Sequence, residues 1–324
     1  MARLAVLGAG AWGTVLAWLL AKNQHEVLFW TRRDDHARAL QQNRRNPEYI
    51  PDLKLPENIT VTSQLAGACE AIEAALVAVP SKGLREVLEK LPDVPALISC
   101  SKGLELQSFK RLSEVIQEYK PEATVAALSG PNLALEIARE KPAAATIASE
   151  DIEFAKTAQG WLNQSIFRVY SSDDLIGLEI AGALKNVIAL AAGICDGLNL
   201  GDNAKATLIT RGLGEIVKVG THLGGDVKTF YGLSGLGDLV ATCSSGQSRN
   251  HTAGERLAKG TTLAELQASG LTAEGIPTTK AVHDLAIQEK LELPICSEIY
   301  RVIYEKKKPQ DAIANLMGRR LKEE

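Results

Sequence analysis

Aromatic side chains are scarce in this chain: they make up 5% of its 324 residues, and only 2 methionines occur. The core must therefore rest on Ala, Leu, Ile and Val, within a hydrophobic content of 45%. An excess of one charge is also missing. Lys and Arg number 36 against 39 Asp and Glu, a net charge of −3, which gives no electrostatic footprint for nucleic acid or for an anionic membrane surface. The 5 cysteines, at 69, 100, 195, 243 and 296, form no CxxC pair. That spacing argues against a zinc knuckle or a redox dithiol and fits reduced thiols in a cytoplasm. One apolar run alone approaches spanning length, and Glu179, Lys185 and Asn186 interrupt it. Met1-Ala2-Arg3 leads straight into an apolar strand and glycines, unlike a secretory leader. The expectation is a cytoplasmic protein with no membrane insertion and no metal.

What is present divides into two halves. The first alternates short apolar strands (Arg3–Gly8, Glu26–Trp30, Ile59–Thr62, Ala74–Val79, Ala96–Ser99, Thr124–Leu128, Ala144–Ala148, Phe167–Tyr170) with helical stretches such as Trp12–Lys22, Leu84–Leu91, Phe109–Glu118 and Ile152–Asn163. Such alternation predicts an α/β fold with a doubly wound, largely parallel sheet. After Ser172 strand signals fade and helical periods dominate, broken by glycines at 224–225 and 232–237. The expected domains are residues 1–172 and an all-α domain over 173–324.

Gly8-Ala9-Gly10-Ala11-Trp12-Gly13 reads GxGxxG directly between the first strand and the first helix. In that context it is a Rossmann dinucleotide fingerprint: Gly8 for the turn, Gly10 for approach of a pyrophosphate, Gly13 for close helix–strand packing. The second strand runs into Thr31-Arg32-Arg33. Two guanidiniums and no carboxylate at position 31 favour a 2′-phosphate, hence NADP(H), with NAD(H) still open. Asp34 and Asp35 read mainly as an N-cap for the following helix.

Ligands of doubly wound sheets lie beyond the carboxyl ends of the strands. That rule nominates residues 79–81, 99–103 and 128–132 after the fourth, fifth and sixth strands, and among them Lys102 is the informative one. In the helical half, Lys185 and Asn186 stand inside an otherwise apolar helix, where an ammonium is costly unless paired or neutralised. Further on, a glycine-rich stretch holding Asp238 reads as a flexible loop. It leads to Ser248-Arg249-Asn250 at the start of a helix expected to reach Lys259. Ser248 is a candidate cap. Arg249 in a first turn runs against the helix dipole unless an anion sits there, so loop, helix start and arginine together suggest a phosphate site.

Eight motifs occur in order: GAGAWGT at 8–14, VPS at 79–81, SKGLE at 101–105, LSGPN at 128–132, ALKNVIALAAGICDGL at 183–198, GLGDLVATC at 235–243, SRN at 248–250 and EG at 274–275. With this set the chain resembles the bacterial type of NAD(P)-dependent glycerol-3-phosphate dehydrogenase over essentially its whole length. The resemblance implies a Rossmann domain followed by a 6-phosphogluconate-dehydrogenase-like helical domain. It also implies reversible reduction of dihydroxyacetone phosphate to sn-glycerol 3-phosphate for phospholipid precursors, in a homodimer. It assigns proton transfer to Lys185, with Lys102 and Asp238 assisting. Substrate contacts fall on Lys102, Gly130, Asn132, Lys185, Asn186, Asp238, Ser248, Arg249 and Asn250. Cofactor contacts fall on Gly8, Gly10, Ala11, Trp12, Gly13, Arg32, Arg33, Lys102, Ala134, Arg249, Thr272 and Glu274. Ala11, Leu133 and Thr272 depart from the residues usual at those places in the family. Two alternatives remain at this point: a related 3-hydroxyacid or 6-phosphogluconate-type dehydrogenase, and a non-catalytic dinucleotide sensor, which would need none of Lys102, Lys185 and Asp238.

Overall fold

A computed structural model describes residues 1–105 and 108–320. The chain packs into two compact units: residues 1–102 with 110–179, and residues 103–109 with 180–324.

In the first unit the strands are β1 (Arg3–Leu7), β2 (Glu26–Trp30), β3 (Arg45–Asn46), β4 (Ile50–Lys54), β5 (Ile59–Thr62), β6 (Ala74–Val77), β7 (Ala96–Ser99), β8 (Thr124–Ser129), β9 (Ala143–Ser149) and β10 (Phe167–Ser172). The helices are α1 (Ala11–Lys22), α2 (Asp34–Asn43), α3 (Leu65–Ala68), α4 (Leu84–Lys90), α5 (Leu112–Tyr119), α6 (Ala134–Ala138) and α7 (Ile152–Leu162). Eight strands form one sheet in the order β10-β9-β8-β7-β6-β1-β2-β5. Every pairing is parallel except β8 with β9. The order reverses beside β1, which puts the topological switch at the carboxyl ends of β1 and β6.

Two-residue periodicity explains the two cores. On β1, Leu4 and Val6 point into a cluster with Val15, Leu16 and Leu19 of α1 and Trp161 of α7. Ala5 and Leu7 point the other way, into a cluster with Val87 and Leu88 of α4 and Val115 and Ile116 of α5. With both faces covered, the central strands β1, β6 and β7 read as apolar runs, whereas the edge strands β5 and β10 alternate buried and exposed residues.

Two features differ from expectation. β3 and β4 form an antiparallel hairpin that sequence reading missed, because Arg45, Asn46, Pro47 and Pro51 carry no apolar alternation. The helix expected from Phe109 begins instead at Leu112. Phe109 takes a left-handed φ of 58°, and Glu114 reaches back to accept the Arg111 backbone N–H at 2.8 Å, which fixes the first turn.

Helix α8 (Leu175–Gly197) leaves the first unit and enters the second. It is followed by α9 (Asp202–His222), α10 (Val227–Tyr231), α11 (Asp238–Ser244), α12 (Arg249–Ala258), α13 (Leu263–Ala268), α14 (Gly275–Gln288), α15 (Pro294–Tyr304) and α16 (Pro309–Met317). By length and composition α8 could cross a membrane, but 94% of its apolar window is buried within the protein, the condition of a core helix. Its small residues have a packing cause. A Cβ on Gly193 would stand 2.0 Å from the carbonyl oxygen of His251, and one on Gly254 would stand 2.1 Å from that of Leu190. Helices α8 and α12 therefore meet backbone to backbone. The buried Glu215 carboxylate accepts the N–H groups of Ile295 and Cys296 at 2.6 and 3.0 Å, satisfying donors at the start of α15 that have no partner within the helix.

Candidate active site

The glycine turn sits at the switch point of the sheet. Gly8 has φ +114°, and a Cβ there would lie 2.6 Å from the carbonyl oxygen of Ala78. A Cβ on Gly13 would lie 1.8 Å from the carbonyl oxygen of Gly8, whereas one on Gly10 would meet nothing within 4 Å. Two glycines thus serve packing, and the third leaves clear space above the backbone. Helix α1 has no side-chain cap and no acidic residue in its first turn. The N–H groups of Ala11, Trp12 and Gly13 lack partners within the helix and point outward, which suits a dinucleotide pyrophosphate. The residues present fit the group that the fingerprint implies. Trp12 rests edge-on against Phe167, with ring centroids 6.3 Å apart.

At the end of β2, Thr31 is buried while Arg32 and Arg33 are exposed. The capping expectation for the aspartates needs correction: Asp34 and Asp35 lie inside the first turn of α2, and Arg33 holds the N-cap position with no side-chain cap bond. Both carboxylates still complement the helix dipole there.

Beyond β7, the Lys102 ammonium donates to the carbonyl oxygen of Gly130 at 2.9 Å. Gly130, at φ +144°, could not carry a Cβ, which would approach Ala145 to 2.9 Å. Asn132 donates to the carbonyl oxygen of Ala144 at 3.0 Å. Its Oδ1 and the Ser129 hydroxyl are buried without a hydrogen-bond partner among the described residues. Ala134 opens α6 immediately after this loop.

The second unit holds the lysine of the apolar helix. Lys185 Nζ donates to Asp238 Oδ1 at 2.8 Å and to Thr242 Oγ1 at 2.6 Å, and Thr242 donates to the same carboxylate oxygen at 3.1 Å. The three residues are 6%, 2% and 5% exposed. Burial penalises the ammonium, and the Asp238 carboxylate compensates it. Thr242 escaped the sequence reading. Its signal was position: four residues past Asp238, it shares a helix face with that carboxylate.

Residues 233–237 are not a flexible loop: Leu233–Gly237 is a π-helical turn running directly into α11, whose first residue is Asp238. Single π-helical turns are rare and occur frequently at functional sites.

Beside this triad, Asn250 donates to Asn186 Oδ1 at 2.8 Å and accepts the Gly275 N–H at 2.9 Å. The two asparagines thus join α8, α12 and the start of α14. Ser248 caps α12 by accepting from His251 N at 3.2 Å, as expected. Arg249, the first residue of α12, is exposed. Thr272 and Glu274 lie just before α14, with Glu274 at its N-cap. Lys102 belongs to the first unit and Lys185 to the second. Among the described residues no group of three or more His, Cys, Asp or Glu is gathered as for a metal ion.

A doubly wound sheet with a glycine fingerprint, followed by helices carrying a buried lysine–carboxylate pair, defines the class of two-domain dinucleotide-dependent dehydrogenases. The family described as NAD-dependent glycerol-3-phosphate dehydrogenase matches in both its parts, the N-terminal over residues 3–155 and the C-terminal over residues 174–314. The chain belongs to that family. It is 45% identical, over 100% of its length and 96% of the other's, to the glycerol-3-phosphate dehydrogenase (NAD(P)+) of Oceanobacillus iheyensis. It is 46% identical, over 100% and 98%, to that of Lysinibacillus sphaericus. The crystal structure of glycerol-3-phosphate dehydrogenase from Coxiella burnetii superposes with a TM-score of 0.93 at 37% identity, covering 98% of this chain and 99% of that one.

Proposed function

We propose that this chain catalyses the reversible NAD(P)H-dependent reduction of dihydroxyacetone phosphate to sn-glycerol 3-phosphate. Family membership supports the reaction. The observation that carries the mechanism is the buried Lys185 ammonium on Asp238 and Thr242. When bound, the dinucleotide supplies the hydride that reaches C2 of the substrate. Lys185 hydrogen-bonds the carbonyl oxygen and delivers the proton as negative charge develops there, and in reverse it takes the hydroxyl proton. Asp238 orients that ammonium, and Thr242 fixes the direction of both. Lys102 stabilises the developing alkoxide. Arg249 and the start of α12, capped by Ser248, take the phosphate. Gly130 and Asn132 are further substrate contacts, and Asn186 holds Asn250 in place.

In this reading the cofactor is held by Gly8, Gly10 and Gly13, the N–H groups of Ala11 and Trp12, the guanidiniums of Arg32 and Arg33, and Lys102. Ala134, Arg249, Thr272 and Glu274 complete the contacts. NADP(H) is the preferred form and NAD(H) the second. Residues 1–172 serve chiefly the dinucleotide and 173–324 chiefly the substrate. The enzyme works as a cytoplasmic homodimer supplying glycerophospholipid synthesis. The test is NADPH and NADH oxidation driven by dihydroxyacetone phosphate, compared as kcat/KM. Turnover with both, faster with NADPH, is expected. No oxidation with that ketone, or faster oxidation with a 3-oxo acid, would overturn the reading.

A further inference from the structure

The hairpin of β3 and β4 brings a carboxylate to the place where the second strand ends. Glu48, between the two strands, pairs with the guanidinium of Arg33. Asp35 stands 3.9 Å from the same side chain. Both partners of the main pair are about half exposed, at 48% and 44%, so the pair is made in reach of solvent and of any ligand arriving there.

The hairpin is anchored from beneath. Asn46 in β3 is fully buried. Its Nδ2 donates to the carbonyl oxygen of Ala9 at 3.0 Å and to Thr14 Oγ1 at 2.7 Å. Thr14 in turn donates to the carbonyl oxygen of Gly10 at 2.8 Å. With its amide group so used, Asn46 Oδ1 must accept from His36 Nε2, 3.2 Å away. His36 Nδ1 then faces the Thr31 hydroxyl at 3.1 Å. The donors run in one direction from the end of β2, through α2 and the hairpin, to the glycine turn. Glu48 is two residues from Asn46, so its position relative to Arg33 is set by buried bonds rather than left to a loose loop.

We propose that Glu48 sets cofactor selectivity, by competing with the 2′-phosphate of NADP(H) for Arg33. The inference rests on the reading that the first unit binds a dinucleotide. A 2′-phosphate must either displace Glu48 from the guanidinium or sit beside a like charge. A ribose 2′-hydroxyl faces neither cost and can donate to the carboxylate. The hairpin thereby offsets the advantage that two arginines give to NADP(H) and keeps NAD(H) competitive.

The experiment is a titration of NADPH and NADH into the full chain without substrate, followed by cofactor fluorescence. Glu48→Gln, at an exposed position, should lower the Kd for NADPH by about threefold and leave that for NADH within about twofold. The gain should shrink at high salt. In an Arg33→Ala background the same substitution should give less than half of that gain. An unchanged NADPH-to-NADH ratio, or equal shifts for both, would overturn the proposal while leaving the reaction standing. Failure of the unmodified chain to bind either dinucleotide would instead overturn the reading beneath it.

Discussion

The two units hold polar chemistry in opposite ways. In the first, the candidate site is backbone and rim: glycines that let chain approach chain, a helix start without a cap, and arginines on exposed turns. In the second, it is side chain and interior: Lys185, Asp238 and Thr242 bond one another, and Asn186 bonds Asn250, all nearly inaccessible. A backbone cradle binds by shape and is altered mainly in affinity. A buried network must satisfy every member, so breaking it disturbs both chemistry and folding. The first arrangement suits a large ligand carrying phosphates, and the second suits a proton that must move over a short, fixed distance.

Truncating the centre of the buried network should give the largest effect. Lys185→Met removes the proposed proton donor, and kcat should fall by about a thousandfold. NADPH binding, assigned chiefly to residues of the first unit, should stay within about twofold in a substrate-free titration. If turnover instead survived within tenfold, the contrast between a binding unit and a reacting unit would break.

Paired glycine substitutions sharpen the same contrast. At Gly254 a Cβ meets a carbonyl oxygen at 2.1 Å, so Gly254→Val should cost about 3 kcal/mol or more and lower Tm by many degrees. At Gly10 a Cβ meets nothing, so Gly10→Val should leave Tm nearly unchanged and weaken NADPH by about tenfold or more. Thermal melts and cofactor titration of both variants decide it. Equal losses of Tm would mean that Gly10 is a packing glycine like Gly254.

The contrast also explains what could be read from the sequence. The sheet was legible because apolar strands and a fingerprint between strand and helix are local signals. Lys185 was legible as an anomaly, a charge in an apolar helix. The hairpin was not: its polar, proline-bearing strands are held by Asn46, whose partners Ala9 and Thr14 lie 37 and 32 residues away. Nor was the pairing of Asn250 with Asn186, which are 64 residues apart. The π-helical turn was hidden by its glycines, which mark loops more often than helices. Local periodicity reveals elements, and long-range polar bonds reveal themselves only in three dimensions.

Arg249 is the exception within the second unit, an exposed group amid a buried network. It should therefore behave like the residues of the first unit. Arg249→Lys keeps the charge but loses the planar fork, so KM for dihydroxyacetone phosphate should rise about tenfold with kcat changed far less. Steady-state kinetics at saturating NADPH would show it, and an unchanged KM would remove the phosphate role.

The smallest effects test the electrostatics of each unit through pH. In the first, burial pushes the Glu179 carboxyl above its ordinary 4.5, against the pull of Arg111 and Ser113. Its contribution to stability is then complete below the unfolded value and lost as pH rises through the folded one. In the second, burial also acts to raise Asp196, but hydrogen bonds from Lys205 and His251, each 2.8 Å long, outweigh it and hold the carboxyl below its ordinary 3.8. Its contribution is complete above the unfolded value and lost as pH falls through the folded one. The Tm deficit of Glu179→Gln should therefore shrink from pH 4.5 to pH 8, while that of Asp196→Asn should shrink from pH 7 toward pH 3. The Asp196 change should be worth about 1 kcal/mol or less, because the group is partly solvated. Melting curves across that range would show slopes of opposite sign. Slopes of the same sign would mean that Glu179, like Asp196, is governed by its partners rather than by its burial.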